Sequence, residues 1–319
     1  MLSRTADHLY WMARYIERAE NMARVLDVTY RMSLVANSAY DEAARWKPPV
    51  QIADDVEAFE QNYSGYTAAN VIQFMALDER NPSSIVSALG AARENARAVR
   101  VAMSSEMWET VNALWLELRQ RIRLGLNEAD ISEFCDWVKS RSHLFRGVTF
   151  GTMLRDDSYK FVRLGSFVER ADNTARLVDV KFHAVESDYY GTANGKEQEY
   201  DFYHWSAILR SVSGFEVYRK VYRDVIRPER VAELLILRPD MPRSLHASLN
   251  EVVNNLKMVA NDQSEETQRR AGKLRAELQY GRIDEILATG LHAFLTQFLD
   301  RVNELGGRIS QDFLVPTVH

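Results

Sequence analysis

The sequence predicts an all-helical bundle built from two tandem repeats of about 150 residues, related by a pseudo-twofold axis. Three observations carry that expectation. The stretch ERAENMARVLDVTY, Glu17 to Tyr30, returns as ERADNTARLVDVKF, Glu169 to Phe182, 152 positions later. Eight of the fourteen residues are identical, and Glu20/Asp172, Val25/Leu177, Leu26/Val178 and Tyr30/Phe182 are close swaps. A solvated helix face needs polarity rather than identity, so amphipathicity alone does not explain the match. Independently, FMALDERNPSSIVSAL (Phe74 to Leu89) aligns with LLILRPDMPRSLHASL (Leu234 to Leu249) at an offset of 160, placing Pro82 on Pro242 and Ser84 on Ser244. Finally, apolar residues recur at helical spacing, and nowhere does strand-like alternation with hairpin turns occur. The repeats are read as residues 1–150 and 151–319, merged into one globular unit.

Each element has its own signal. Leu9, Met12, Ile16, Ala19, Ala23, Leu26 and Tyr30 mark a helix from Leu2 to about Leu34, with Ser3 as its cap. Asn37 to Gln51, holding Trp46 and the breaker Pro48-Pro49, reads as irregular. Two short helices follow, Ile52 to Tyr63 and Thr67 to Leu77. Asn81-Pro82 reads as cap and first helical residue of a helix running to about Met103. Ser105 to Leu124 and Ile131 to Val148 complete the first half, with a turn at Gly125 to Asp130. The second motif helix spans about Asp157 to Val185, followed by a polar loop, Ser187 to Tyr200, which absorbs the extra residues implied by the two offsets. Helices are expected over Phe202 to Val225, from Pro228, from Pro242, over Gln263 to Tyr280 and over Ile283 to Leu305. The tail from Gly306 is expected to fray. As the longest amphipathic units, the two motif helices are expected to pack their apolar faces at the centre.

Composition narrows the function classes. Forty Lys plus Arg against forty-five Asp plus Glu give a net charge of −5, which argues against broad nucleic-acid binding. Cys135 is the only cysteine, so no disulfide or cysteine metal cage forms within the chain. Its neighbours Phe134 and Trp137 mark a buried thiol rather than a nucleophile. The first residues lack the apolar core of a signal peptide, and no eighteen-residue apolar window exists for a membrane span. A cytoplasmic protein with no membrane contact is expected. The seven histidines form no Glu-x-x-His or His-Glu-x-x-His set, and no Gly-rich phosphate loop is present, so neither a metal nor another cofactor is expected.

On a helical wheel Tyr10, Arg14, Glu17, Asn21 and Arg24 share one stripe, and Ser166, Glu169, Asn173 and Arg176 its counterpart. Arg18 and Arg170 lie about 100° from their neighbouring glutamates, so the Glu-Arg dipeptide is not itself an ion pair. Each of its members must find a partner on another element. Glu20–Arg24–Asp27 and Asp172–Arg176–Asp179 read as helical ion ladders, which stabilise a surface helix by ~0.2–0.5 kcal/mol per pair. A ladder requires neither Glu17 nor Asn21, nor does it require Arg over Lys, whereas a planar fork for carboxylate or phosphate does require Arg. Three readings follow: an inward network locking the repeats together, a binding or catalytic cluster with Glu17 and Glu169 as candidate bases, or a solvated face. Arg93, Asn95 and Arg97 repeat the same chemistry on another helix and are candidates to line the same cavity. His8 reads as an ordinary half-buried histidine.

LSRTADHLYWMARYIERAENMARVLDV, ARENARAVR with MWETVN, and GSFVERADNTARLVDVKF together resemble the bacterial alpha-E family, helical proteins named for a repeated Glu-Arg motif. The resemblance covers essentially the whole chain. Carried over position by position, it makes Glu17, Arg18, Glu169 and Arg170 the named residues. It implies association with circularly permuted ATP-grasp proteins that look like amide-bond ligases, often near transglutaminase-like peptidases, and so a role in peptide modification. Three functions are consistent with this. One is a non-catalytic partner of the ligase that binds it or its peptide or amino-acid substrate. Another is an enzyme in which Arg holds a carboxylate or acyl phosphate and Glu takes a proton. The third is a structural or oligomerising bundle.

Overall fold

The structure is a computed structural model that describes residues 2–35, 42–189 and 205–315. Among them there is no strand. The polar loop expected over Ser187 to Tyr200 falls largely outside the described residues. Two 33-residue helices, α1 (Ser3–Val35) and α8 (Asp157–Tyr189), lie against each other at the centre. Around α1 pack α2 (Glu42–Ala53), α5 (Ile85–Ala98) and α7 (Ile131–Thr152), and α6 (Ser105–Leu124) sits outside α5 and α7. Around α8 pack α11 (Pro228–Ile236), α12 (Leu245–Met258) and α15 (Leu291–Ile309), with α13 (Glu265–Tyr280) outside α12 and α15. The short α3 (Val56–Asn62), α4 (Ala68–Ile72), α9 (205–211), α10 (Phe215–Tyr222) and α14 (Ile283–Thr289) fill the periphery.

One apolar core joins residues of both halves, among them Leu9, Met12, Ile16, Leu164, Val168, Leu249 and Leu295. A second cluster belongs to the first half. In it Ala19, Met22, Ala23 and Leu26 of α1 pack with Trp46, Ile85, Leu89, Phe134 and Val138. The apolar side of the first motif therefore faces its own half. The polar stripes of the two motif helices face each other, since each Glu-Arg dipeptide finds its fork partner on the other helix.

Local differences from the sequence reading have physical causes. Pro48 and Pro49 sit inside α2, where each removes a backbone donor at a cost of ~3 kcal/mol. Burial of Trp46, Val50 and Ile52 on the same helix offsets it. The helix expected from Ile52 to Tyr63 breaks at Asp54, whose φ is +60°. Asn81 is not the cap of α5. Its side chain closes the turn by accepting from Ser83 N and donating to the Phe74 carbonyl, while Ser84 caps the helix through Ser87 N. Ser244 caps α12 in the same way through Ala247 N. The helix expected over Phe202 to Val225 breaks at Ser213, φ +55°, and that over Ile283 to Leu305 breaks at Gly290, φ +102°. The tail does not fray at Gly306: α15 continues to Ile309, and a π-turn, Ser310–Leu314, buries Phe313 and Leu314.

The backbones of α1 and α8 come close at Gly165. A Cβ there would stand 2.1 Å from the Tyr10 carbonyl oxygen, and backbone cannot yield as a flexible side chain can. Gly165→Ala is expected to lose about 3 kcal/mol or more in urea unfolding, the upper range for overpacking. Gly147→Ala, on α7 where nothing lies within 4 Å, is expected to gain ~0.5–1 kcal/mol. Equal midpoints for the two variants would contradict the close approach.

A buried Glu-Arg network between the motif helices

The two Glu-Arg dipeptides exchange partners. Arg170 Nε and Nη2 donate to Glu17 Oε1 and Oε2 at 2.8 and 2.9 Å. Arg18 Nε and Nη2 donate to Glu169 Oε1 and Oε2 at 2.6 and 3.1 Å. Both are two-point forks, which lysine cannot form. Within each helix the arginine lies about 100° from its own glutamate, so it reaches across to the other copy's carboxylate. Each fork rests on an aromatic ring one turn earlier, Arg18 over Tyr15 at 5.5 Å and Arg170 over Phe167 at 4.8 Å.

Around this exchange the two ends differ. Arg14 Nε adds a further donor to Glu169 at 2.8 Å, and Asn173 Nδ2 donates to the Glu169 carbonyl at 2.9 Å. At the other end Arg243, just before α12, donates to Glu17 at 3.1 Å, to Asn21 Oδ1 at 2.9 Å and to Glu20. From α7, Arg146 donates to Glu17 at 3.2 Å and to Glu20, and Ser142 Oγ donates to Glu20 at 2.6 Å. Arg24 Nε donates to Glu20 at 2.8 Å, and Arg24 Nη1 reaches Ser213 Oγ at 2.8 Å. Glu17 and Glu169 are 2 % exposed and Glu20 is fully buried.

The ladders are thus redrawn. Glu20–Arg24 forms but lies inside the protein. Asp27 turns to Arg31 and Lys139 at 2.7 Å each, and His292 Nδ1 contacts Asp179 at 2.7 Å. Arg176 is half-buried between Asp172 at 2.9 Å and Asp54 at 2.8 Å. Arg93, Asn95 and Arg97 do not join the network. Arg93 and Arg97 pair with Glu94, and Asn95 Oδ1 meets His8 Nδ1 at 2.8 Å. Sequence spacing alone does not point to Arg243, Arg146 or Ser142. Arg243 did carry a signal, since it replaces Ser83 at a position of the second repeat match where Pro and Ser flank it in both copies. Nothing comparable marks Arg146.

Burial alone would raise the carboxyl of Glu17, yet Arg170 and Arg243 hold it below the usual glutamate range. Burial opposes ionisation of Glu20 too, and Arg243, His143 and Arg146 overcome it, leaving Glu20 well below that range. Glu169, likewise buried, is brought to about 2 by Arg14 and Arg18. Asp172 goes the other way, because burial outweighs Arg176. Cys135 is buried, and burial pushes its thiol up, as an inert core thiol requires. The cavity that touches the network is about 20 Å³ and is lined by Asn21, Arg24, Asn173 and Arg243 among others. A groove of about 500 Å³ between α13 and α15, lined by Arg269, Lys273 and Arg301, shares no residue with the network. The arrangement is therefore a set of ionised carboxylates saturated by guanidinium donors, with room for little beyond a water-sized guest.

Two outcomes follow. Removing one side of a buried ion pair costs ~3–5 kcal/mol, against ~0–1 kcal/mol on the surface. Arg24→Ala, which strips a donor from the fully buried Glu20, is expected to lower the urea midpoint by the larger amount, and an unchanged midpoint would return Arg24 to a solvated role. Glu17, Glu20 and Glu169 have folded-state values below their unfolded ones. Their stabilisation is complete above about pH 4.5 and is lost as pH falls through the folded values toward about 2. Asp172 acts with the opposite sign and offsets only part of this. Unfolding free energy should drop steeply between about pH 4.5 and 2, less so in Glu169→Gln, and parallel profiles for the two proteins would contradict the assignment.

The profile of a family described as a predicted alpha-helical domain with a conserved ER motif, Alpha-E, matches residues 1–314. Uncharacterized proteins of Mycobacterium bovis and of two strains of Mycobacterium tuberculosis are 24 % identical to the chain over 316 residues. These alignments cover 93 % of the chain but 35 % of each relative, so the chain spans about a third of the length of the curated relatives it matches. No solved structure matches it. The family model covers nearly the whole length of the sequence, and the chain belongs to the Alpha-E family.

Proposed function

We propose that this chain is the non-catalytic helical component of an ATP-dependent amide-bond-forming system, binding an ATP-grasp ligase or its peptide substrate through its outer surface. The observation that carries this reading is the internal saturation of the Glu-Arg residues. Each fork already holds a carboxylate of the other helix, and the adjoining cavity is about 20 Å³. A general base near neutral pH needs a raised carboxyl pKa. Glu17 and Glu169 are held below the ordinary range instead, which weighs against an acid–base role. That the mycobacterial relatives are about three times longer fits a helical unit working beside other machinery. Cytoplasmic residence belongs to the same reading, and the described helices include none long and apolar enough to cross a membrane.

The duplication is part of this proposal. Residues 1–150 and 151–319 are two copies of one unit, related by a pseudo-twofold axis through the α1–α8 contact. The reciprocal forks support it, as do the matched caps Ser84 and Ser244. So does the pair of contacts Ser132 to Asp27 and His292 to Asp179, again 160 and 152 positions apart. An experimental structure in which residues 2–124 fail to superpose on 154–280, helix for helix, would sink it.

The functional test is Glu17→Gln, reconstituted with the proposed ATP-grasp partner. Gln keeps the shape but removes the charge that binds three arginines. Product formation is expected to fall only in step with the loss of folded protein in thermal melts. A variant that folds and binds its partner normally while product drops by about 10²–10⁴-fold, the range for a lost general base, would overturn the reading in favour of an enzyme.

A further inference from the structure

The buried cluster around Glu17 is not electrically balanced. Two carboxylates, Glu17 and Glu20, face three buried guanidiniums, Arg24, Arg170 and Arg243, and a fourth, Arg146, whose side chain is 29 % exposed. The neighbouring Glu251 is already bound to Arg163 at 2.7 Å, and Asp27 to Lys139 and Arg31. Uncompensated charge away from water is costly, and a fold that retains it must find a counter-charge. Beside these arginines lies the cavity of about 20 Å³, between α1 and α8. Its lining holds Arg24 and Arg243, the paired asparagines Asn21 and Asn173, and Ser211; none of its described lining residues is acidic. Asn21 accepts from Arg243 through Oδ1, which leaves its Nδ2 pointing elsewhere, and that buried donor has no partner among the described residues.

We propose that this cavity is a binding site for a monatomic halide anion, held by the Asn21 amide and the Arg24 and Arg243 guanidiniums. Its volume of about 20 Å³ matches one water-sized occupant, which favours a monatomic anion over phosphate or sulfate. Its donors are cationic or amide N–H groups, the complement of an anion. A water there would satisfy Asn21 but leave the surplus charge in place. The Glu169 end has no such surplus on this scale. There Arg14 and Arg18 share Glu169, while Arg176 is paired with Asp172 and Asp54. The site also lies at the α1–α8 seam, so occupancy would tie anion concentration to how firmly the two halves hold together. The inference does not depend on the ligase-partner reading, since it concerns stability and not product.

The test uses the 319-residue chain in sodium gluconate at fixed ionic strength, with gluconate replaced stepwise by chloride or bromide. A saturable rise in melting temperature of about 2–4 °C is expected, as for any ligand that binds the folded state alone. Crystals grown in bromide should show an anomalous peak in the cavity beside Asn21. Asn21→Asp brings a fixed carboxylate to the same place. It should melt at or above wild type in gluconate and lose the halide response. A melting temperature that does not change as chloride or bromide replaces gluconate, or a cavity holding water while bromide sits at surface positions as an adventitious ion only, would overturn the proposal. Should Asn21→Asp fail to fold, the wild-type titration and the diffraction experiment still decide between these outcomes.

Discussion

A carboxylate cannot leave water unless something replaces its hydration, and two-point guanidinium forks are among the strongest replacements a protein can offer. That requirement organises this molecule. Glu17 and Glu169 lie deep between two long helices, and neither helix can neutralise its own glutamate with the arginine next to it. Each must face the other copy. Once the helices face each other, the contact has to be close, which explains Gly165 against the Tyr10 carbonyl. The arginines also have to be held flat, which Tyr15 and Phe167 do beneath them. The remaining helices complete the burial: α5 and α7 close around α1, and α12 and α15 close around α8.

Because the bonds cross from one half to the other, they act as a clamp with specificity as well as strength. A hydrophobic seam would tolerate sliding by a residue or two with repacking. A pair of reciprocal forks does not, since a shift of one residue turns both carboxylates away by about 100°. The asymmetric additions, Arg243 and Arg146 at one end and Arg14 at the other, make the surroundings of the two forks different. With both glutamates of the dipeptides bound in this way, neither carboxylate is free to meet a substrate.

The sequence was informative where partners are repeated or locally spaced. The stripe of Glu17, Asn21 and Arg24 is visible because it occurs twice, and the need of the Glu-Arg dipeptide for a distant partner follows from helix geometry alone. Long helices with regular apolar spacing were legible for the same reason. Contacts supplied by a single residue of a remote element were not. Arg146 looks like any arginine on an amphipathic helix, and only the fold brings it to Glu20. Sequence spacing alone makes Glu20 part of a surface ladder, because its i,i+4 partner is real and its burial is a tertiary fact. Pro48-Pro49 misled in the opposite direction: its local preference is clear, but the helix forms around it because Trp46, Val50 and Ile52 have a core to enter.

The central claim is that Glu17 and Arg170 stabilise the protein as a pair across the α1–α8 seam. A double-mutant cycle with Glu17→Gln and Arg170→Gln, read by urea unfolding, measures this directly. Contacting groups in one network couple by ~0.5–3 kcal/mol, and a buried fork of this kind is predicted to lie in the upper half of that range. The double variant should therefore be far more stable than the sum of the two single losses implies. Losses that simply add, to within ~0.3–0.5 kcal/mol, would mean that the two residues do not hold each other and would contradict the account.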